Sequence, residues 1–224
     1  MNKQNNILYI HGFNSSPLSV KAVQTRDYLA ANHPEVGFYC PQLKTNSRGA
    51  IDQLENLMAE HCGRENSPEQ ENSLELEKSP EQENSPEPIN SRWFLIGSSL
   101  GGYFAHYLAE KYALPAVLIN PAVKPYQLLR DYPSEQTNPY TGEVYQIGTG
   151  EIDALKSLES NISLKNNYLV MLQTGDEVLN YRQAAAKYQD CHLHIHHGGD
   201  HSFVGYQDTL PDIMQFFQLP LAVR

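Results

Sequence analysis

The sequence predicts the α/β fold class, with a mostly parallel sheet of about six strands flanked by helices. Short apolar runs alternate along the chain with segments whose apolar residues recur at helical spacing. Such alternation implies crossover connections, which place successive strands parallel to one another. Because 224 residues are enough for one sizeable core and short for two, we expect a single domain over 1–224.

The individual elements follow from the same pattern. The predicted strands are apolar runs bounded by polar, Gly or Pro residues, at 7–10, 36–40, 93–96, 116–119, 168–172 and 191–196. The predicted helices lie at 17–31, 48–61, 101–112, 152–158, 181–188 and 209–218. The first helix would have Pro17 in its first turn, with core positions at Val20, Val23, Leu29 and Ala30.

Two segments depart from this regular alternation. The stretch 122–150 is rich in Tyr and Pro and lacks a clear period, which predicts a small irregular cap after the fourth strand, with a short helix at 126–130. The segment 64–89 repeats S-P-E-Q-E-N-S and holds eight glutamates against one lysine and one arginine. With almost nothing to bury, it predicts a disordered acidic insert. We interpret it as a tolerated surface loop; the alternative is a docking or regulatory segment.

The net charge and the cysteine content limit the partners and the cellular location that we expect. A net charge of −10 argues against nucleic-acid binding and against docking on an anionic membrane surface. The three cysteines, Cys40, Cys62 and Cys191, form no C-x-x-C pair, which is typical of reduced structural thiols in the cytoplasm. The first apolar run is too short for a signal peptide or a membrane span, so we expect a cytoplasmic protein.

The most informative motif follows the third predicted strand. Residues 97–101 read G-S-S-L-G and match G-x-S-x-G between a strand and a helix. Glycines are needed there because the nucleophile lies on a sharp turn, where flanking side chains would clash. The motif predicts Ser99 as the nucleophile and the Leu100 N–H as an oxyanion donor. Ser98 does not fit as the nucleophile, because the motif requires a glycine two residues before it and Ile96 stands there.

A second oxyanion donor is predicted after the first strand, where His11-Gly12-Phe13 stands. Gly12 would let the backbone approach the substrate, and the Phe13 N–H would complete the oxyanion hole with that of Leu100. We interpret His11 itself as structural. Together these residues predict an acyl-transfer site at the carboxyl ends of the strands, where ligands bind in open parallel sheets.

The remaining members of a triad follow the last two strands. In hydrolases whose G-x-S-x-G turn joins a strand to a helix, the triad residues follow one another in the order serine, acid, histidine. Asp176, in T-G-D-E after the fifth strand, is the predicted acid, and Glu177 is the alternative. His201, in G-G-D-H after the sixth strand, is the predicted general base.

A cluster of histidines near His201 raises the alternative of a metal site. His192, His194 and His196 alternate along the sixth strand and therefore share one face. The run H-I-H-H-G-G-D-H superficially resembles the H-x-H-x-D-H cluster of metallo-β-lactamases, but Gly198 stands where an aspartate is needed. We favour an exposed face of an edge strand and expect no metal.

Six blocks together resemble the YqiA-like bacterial esterases of the α/β-hydrolase superfamily. They are HGFNSSP at 11–17, GSSLGGY at 97–103, NPAVKPYQLL at 120–129, NPYTG at 138–142, TGDEVLNYRQA at 174–184 and GGDHSF at 198–203. The resemblance implies an α/β-hydrolase fold, esterase activity on acyl esters, acyl-CoA thioesters as a further substrate class, and a triad of Ser99, Asp176 and His201. Asn180 departs from the pattern, where an acidic residue is expected, and the acidic insert is the other departure.

The sequence therefore predicts a serine esterase that acts on a small-molecule ester or thioester, including short-chain acyl esters, without a cofactor. The cap, with Tyr126, Tyr132, Tyr140 and Tyr145, should shape the acyl pocket, and Lys124 is a candidate contact for an anionic leaving group. Three alternatives stay open: a binding module that works through the acidic insert, a metallohydrolase, and a peptidase or C–C hydrolase with the same triad. The oligomeric state is not predicted.

Overall fold

The computed structural model describes residues 4–61, 91–132 and 134–219. The acidic insert predicted at 64–89 and Cys62 lie outside the described residues. The strands are β1 (Asn5–Ile10), β2 (Gly37–Tyr39), β3 (Arg92–Ser98), β4 (Ala116–Ile119), β5 (Glu135–Thr137), β6 (Val144–Gln146), β7 (Tyr168–Gln173) and β8 (His192–His196). The α-helices are α1 (Val20–Asn32), α2 (Ser47–Glu60), α3 (Leu100–Tyr112), α4 (Pro125–Leu128), α5 (Thr149–Ser157), α6 (Tyr181–Lys187) and α7 (Leu210–Phe216).

Six of the strands form one parallel sheet in the order β2-β1-β3-β4-β7-β8. The chain first moves outward from β1 to β2 and then returns to the other side of β1 to form β3. This reversal of strand order opens a crevice at the carboxyl ends of β1 and β3, where open α/β sheets bind their ligands. The predicted fold class is confirmed, with helices on both faces of the sheet.

Successive side chains of the central strands point to opposite faces of the sheet, and each face carries its own apolar core. Trp93 and Leu95 of β3 pack on the face that carries α2, α3, α5 and α6. Phe94 and Ile96 pack on the opposite face, against α1 and α7. Because both faces are covered, the strand reads as a continuous apolar run rather than an alternating one.

The first helix begins later than predicted. Pro17 lies before α1, and a turn at Ser16 precedes the helix, with the Leu18 N–H donating to Ser16 Oγ at 3.0 Å. This shift rotates the buried stripe: Val20 is 70% exposed, while Thr25 is buried and bonded to Tyr206 Oη at 2.8 Å. Leu29 is buried as predicted, but Val23 is half-buried and Ala30 is exposed.

The segment 122–150 is more regular than predicted. It contains α4, a 3₁₀ turn at Leu129–Asp131 and an antiparallel hairpin of β5 and β6. Strands of three residues are too short to show a period, so this hairpin could not be recognised from the sequence. The helix that follows it, α5, begins at Thr149, three residues before its predicted start.

Cys40 and Cys191 are free and half-buried. Burial raises the pKa of the Cys40 thiol to about 12, which suppresses the reactive thiolate. Within the described ranges, none of the helices has the length and apolar character needed to span a bilayer.

Candidate active site

The turn from β3 into α3 has the geometry of a nucleophile elbow. Ser99 has φ 56° and ψ −120°, a left-handed and strained conformation for a residue with a side chain. The flanking glycines are required by close backbone packing: a Cβ on Gly97 would lie 2.3 Å from the Gly101 carbonyl oxygen, and a Cβ on Gly101 would lie 2.0 Å from that of Ile10. The glycine spacing of the motif therefore has a direct steric cause.

Ser99, His201 and Asp176 form one hydrogen-bonded series. His201 Nε2 lies 3.0 Å from Ser99 Oγ. On the other side of the ring, His201 Nδ1 lies 2.8 Å and 3.0 Å from the two carboxylate oxygens of Asp176. The Asp176 side chain is 2% exposed, whereas that of His201 is 23% exposed. A buried carboxylate that accepts a hydrogen bond from Nδ1 favours the tautomer in which the lone pair of Nε2 is directed at the serine hydroxyl.

The loop after β7 holds Asp176 in place and assigns a different task to Glu177. One carboxylate oxygen of Asp176 accepts hydrogen bonds from the N–H groups of Val178 and Leu179, at 2.9 and 2.8 Å. Glu177 Oε2 accepts a hydrogen bond from the backbone N–H of His201 at 3.0 Å. Of the two predicted acids, Asp176 therefore contacts the imidazole ring, and Glu177 anchors the backbone.

The backbone that carries the two predicted oxyanion donors, Phe13 and Leu100, lies next to Ser99. Gly12 passes so close to the elbow that a Cβ on it would lie 3.2 Å from Ser99 Cβ and 3.7 Å from Ser99 Oγ. The next N–H, that of Phe13, and the N–H of Leu100 at the start of α3 have no acceptor among the residues that the structure describes. Unpaired donors next to a nucleophile are suited to stabilise developing negative charge.

Two polar residues that neighbour the site in the sequence, Ser98 and His11, have buried side chains. Ser98 is buried, and its hydroxyl lies near that of Tyr9 on β1. His11 is also buried; its Nδ1 lies 3.0 Å from the Gly12 carbonyl oxygen, and its Nε2 accepts from the Leu43 N–H at 3.2 Å. Burial lowers the pKa of His11, so its neutral ring ties the β1 loop to the loop after β2.

Comparison with known proteins identifies the family. Residues 6–69 and 70–218 match the profile of an uncharacterised protein family, UPF0227. The chain belongs to UPF0227. The predicted resemblance to YqiA-like proteins is thereby confirmed.

Solved structures of other proteins share the fold of this UPF0227 member. Est1E from Butyrivibrio proteoclasticus is 12% identical, with a TM-score of 0.65, and the match covers 98% of this chain and 88% of that one. Alpha/beta hydrolase domain-containing protein 10 from mouse is 14% identical, with a TM-score of 0.65 and coverage of 97% and 92%. These likenesses confirm the α/β-hydrolase fold.

Two buried side-chain amides hold the loop that carries His201, residues 197–203, which is called the histidine loop below. Sequence reasoning did not identify these amides in this UPF0227 chain. Asn120, at the end of β4, donates from Nδ2 to the carbonyl of Asp200 at 3.1 Å and accepts the Gln173 N–H on Oδ1 at 2.9 Å. Gln173 in turn accepts the Asp200 N–H at 3.0 Å. Both amides are less than 5% exposed. The signal in the sequence was an amide residue closing each of two apolar strands.

Lys21 on α1 was also missed. Its Nζ donates to the carbonyl of Ser202 at 2.7 Å, directly after His201. Burial lowers the pKa of Lys21 to about 8, although the charges of Asp200 and Asp176 oppose the shift. The Lys21 side chain thus holds the residue that follows His201 and lies near the carboxylates of Asp200 and Asp176.

The structure does not bring the two predicted substrate contacts to Ser99. Tyr126 is a buried core residue, and its Oη donates to Glu159 Oε2 at 2.8 Å, because α4 turns this side chain inward against α5. Lys124 lines a cavity with Lys165 and Lys187, none of which belongs to the elbow or the histidine loop. A role for either residue in substrate binding therefore stays a prediction.

The other tyrosines of the cap are divided between two places. Tyr145 lines a cavity next to Gly12, and Tyr132 packs edge-on against Phe13 with ring centroids 5.8 Å apart. Tyr140 instead lines a groove beside α1 and the residues that follow His201. Only part of the cap thus contributes to the nucleophile's surroundings.

The histidines of β8 occupy an edge strand, as predicted. His192 packs against the ring of Phe216, and His196 packs against that of Phe203. Among the described residues, no three His, Cys, Asp or Glu side chains are grouped closely enough to hold a metal ion. Asn180, the departure from the family pattern, caps α6 by accepting the Arg182 N–H on its side chain at 3.1 Å.

Proposed function

We propose that this protein is a serine hydrolase that cleaves carboxylic esters or thioesters of small molecules through an acyl-enzyme. The observation that carries the proposal is the series from Ser99 Oγ through His201 to Asp176, with contacts of 3.0 and 2.8 Å. Such a series on a strained elbow, next to two unpaired N–H groups, is the arrangement that acyl transfer requires. The names of the fold relatives are consistent with it.

Acylation would begin with proton transfer. As Ser99 Oγ attacks the acyl carbonyl carbon, its proton passes to His201 Nε2, and the imidazolium is stabilised by the carboxylate of Asp176. The carbonyl π electrons move to oxygen, and the resulting oxyanion accepts hydrogen bonds from the N–H groups of Phe13 and Leu100. Collapse of this intermediate breaks the bond to the alcohol or thiol, which leaves with the proton from His201.

Deacylation repeats the same steps with water as the nucleophile. His201 takes a proton from water, hydroxide adds to the acyl-enzyme, and Ser99 leaves with its proton restored. These steps need no metal ion or organic cofactor. Two fold relatives are consistent with this chemistry, since Est1E is known with ferulic acid bound and LipS and LipT are metagenome-derived lipolytic enzymes.

Hydrolysis assays with matched serine variants test the proposal. The full-length protein, Ser99→Ala and Ser98→Ala are compared on p-nitrophenyl butyrate and on butyryl-CoA, with circular dichroism to confirm that each is folded. We expect the Ser99 variant to lose at least about 10³-fold in kcat. Ser98→Ala should retain most activity, because its hydroxyl faces Tyr9 rather than His201. A folded wild type that hydrolyses neither compound, nor longer esters, would overturn the proposal.

A further inference from the structure

The helix α1 lies alongside the stretch of chain that follows His201. Three of its side chains contact this stretch, and the contacts are Lys21 Nζ with the Ser202 carbonyl at 2.7 Å, Gln24 Nε2 with Gln207 Oε1 at 3.3 Å and Thr25 Oγ1 with Tyr206 Oη at 2.8 Å. The contact of Lys21 is the nearest to the triad, since Ser202 directly follows His201 in the chain. Of the three contacts it is also the one made by a charged group.

Lys21 occupies a position that is unfavourable for a cation within its own helix. It is the second residue of α1, in a first turn that contains no acidic residue. The N–H groups at the start of a helix carry partial positive charge, so a lysine there weakens the helix slightly. The helix itself therefore gains nothing from the charge of Lys21, and the partners of its side-chain nitrogen lie outside α1.

The surroundings of Lys21 strengthen its hold on the histidine loop. The charges of Asp200 and Asp176 favour its protonated form, although neither carboxylate forms an ion pair with it within 4.0 Å. Its hydrogen-bond partner is instead the neutral carbonyl of Ser202. A hydrogen bond from a charged donor is about twice as strong as one between neutral groups. The charge of Lys21 therefore strengthens the contact with the residue that follows His201.

The strength of this contact depends on the protonation of Lys21. The residue is half-buried and lines the groove beside α1, so its nitrogen can exchange protons with water. Burial lowers its pKa to about 8. Below that pH the donor is charged, and above it a neutral amine remains, which is a weaker donor. The other titratable side chains on the segments around it are Asp176, Glu177, Asp200, His201, Tyr140, Tyr206 and Asp208. Burial raises the pKa of Tyr206, so this ring stays neutral over the same range.

We infer that Lys21 is a positioning residue for the proposed reaction, which keeps His201 at hydrogen-bond distance from Ser99 by holding the Ser202 carbonyl. The inference rests on the proposed function, since the place of His201 matters to the rate only if Ser99 is the nucleophile. The loop needs such a contact because Phe203 has φ 66°, a left-handed conformation that persists only where neighbouring groups hold it. Small displacements of reacting atoms are costly in rate. Lys21 should therefore act on kcat rather than on substrate binding.

Substitutions of Lys21 test the inference. The full-length wild type, Lys21→Met, Lys21→Arg and Lys165→Met are assayed on p-nitrophenyl butyrate at pH 7, with circular dichroism to confirm folding. We expect Lys21→Met to lose about 10-fold or more in kcat and to change KM by less than about threefold, because it keeps the apolar stem but has no donor. Lys21→Arg keeps a charged donor and should recover most of kcat. Lys165→Met is the matched control, since Lys165 is exposed and pairs with Asp190 at 2.6 Å.

The pH profile is a readout that a purely structural role would not change. Wild-type kcat/KM should fall by about threefold as the pH rises from about 7 to about 9.5, because Lys21 loses its charge over this range. An arginine stays charged throughout, so Lys21→Arg should not show this fall. Lys21→Met should show a low and flat profile. The substrate does not titrate, so the fall belongs to the enzyme.

The outcomes distinguish the inference from the proposed function. Absence of hydrolysis by the folded wild type would reject the proposed function itself. Wild-type kcat in folded Lys21→Met, or the same alkaline fall in Lys21→Met or Lys21→Arg as in the wild type, would overturn the inference and leave the esterase intact. A loss in Lys21→Met that appears in KM alone would do the same. If one of the two variants does not fold, the profile of the other against the wild type decides the question.

Discussion

Gln173 holds Val204 by both ends of its side-chain amide: Nε2 donates to the Val204 carbonyl at 2.7 Å, and Oε1 accepts the Val204 N–H at 3.0 Å. The same Oε1 accepts the N–H of Asp200. The buried amide thus fixes the chain on both sides of His201. A Cβ on Gly199 would overlap this amide, which explains why a glycine occupies this position of the loop.

Replacing Gln173 should therefore misplace His201. In Gln173→Leu, two N–H groups and one carbonyl lose their partner, and each buried group left unpaired costs about 1–3 kcal/mol. We expect a loss of at least about 2 kcal/mol in the free energy of unfolding by urea, and a larger relative loss in kcat than in KM. Gln173→Glu keeps the acceptor and should recover part of kcat. An active Gln173→Leu variant with wild-type kcat would show that the loop is held by other contacts.

The division of roles between Asp176 and Glu177 leads to unequal effects on catalysis. Asp176→Asn keeps the shape of the side chain but favours the wrong tautomer of His201, so kcat should fall by about 10³–10⁴-fold. Glu177→Gln keeps an acceptor for the His201 N–H and should change kcat by less than about 10-fold. The comparison uses esterase kinetics on the two purified variants. A stronger effect at Glu177 than at Asp176 would reverse the assignment.

Gly12 offers a test of the close approach to Ser99. A methyl group in Gly12→Ala would stand 3.2 Å from Ser99 Cβ and 3.3 Å from the Ser98 carbonyl oxygen, which requires the elbow to shift by a few tenths of an ångström. We expect kcat to fall by about 10–100-fold, because small displacements of the reacting atoms are costly. Gly148→Ala is the matched control, since nothing lies within 4 Å of its added carbon. Equal kcat in both variants would contradict this reading of the loop.

His106 makes stability depend on acidity. Its ring is fully buried, with Nε2 bonded to the Ser160 carbonyl at 3.0 Å, and burial with the nearby charge of Lys187 lowers its pKa to about 4. Between that value and the ordinary 6.5, the unfolded chain binds a proton that the folded protein does not. The stability contributed is present above pH 6.5 and is lost as the pH falls toward 4, amounting to about 3 kcal/mol.

The corresponding measurement is the free energy of unfolding as a function of pH. His106→Phe removes the titrating group, so its unfolding free energy should fall less steeply than that of the wild type between pH 6.5 and pH 4. His194→Phe, at an exposed position on β8, should retain the wild-type slope. Parallel curves for wild type and His106→Phe would mean that other groups cause the acid sensitivity.

The contact between Ser99, Asp176 and His201 could be expected from the sequence, because each of the three residues follows a strand that is recognisable from its apolar residues. In a parallel sheet those strand ends lie at one edge, so Ser99, Asp176 and His201 could be expected to meet. Gln173 and Asn120 could not be found this way, because their roles depend on how the chain near Val204 folds back. Such contacts are properties of tertiary packing and leave no periodic trace.

The orientation of side chains in the cap could not be predicted from the sequence either. Tyr126 and Tyr145 look alike in a Tyr-rich stretch, yet one is buried against α5 and the other lines the cavity beside Gly12. The orientation of each depends on the start of α4 and on the hairpin of β5 and β6, whose three-residue strands have no readable period. The start of α1 was likewise shifted by a local turn at Ser16.

Covalent labelling tests directly whether His201 activates Ser99 to attack an acyl carbonyl. A fluorophosphonate forms a stable adduct with such a serine, and peptide mapping by mass spectrometry distinguishes Ser99 from Ser98. We predict a single adduct, on Ser99, formed on the folded full-length protein and slowed by at least about 10³-fold in His201→Gln. An adduct on Ser98, or labelling of Ser99 at the same rate in His201→Gln, would contradict the account.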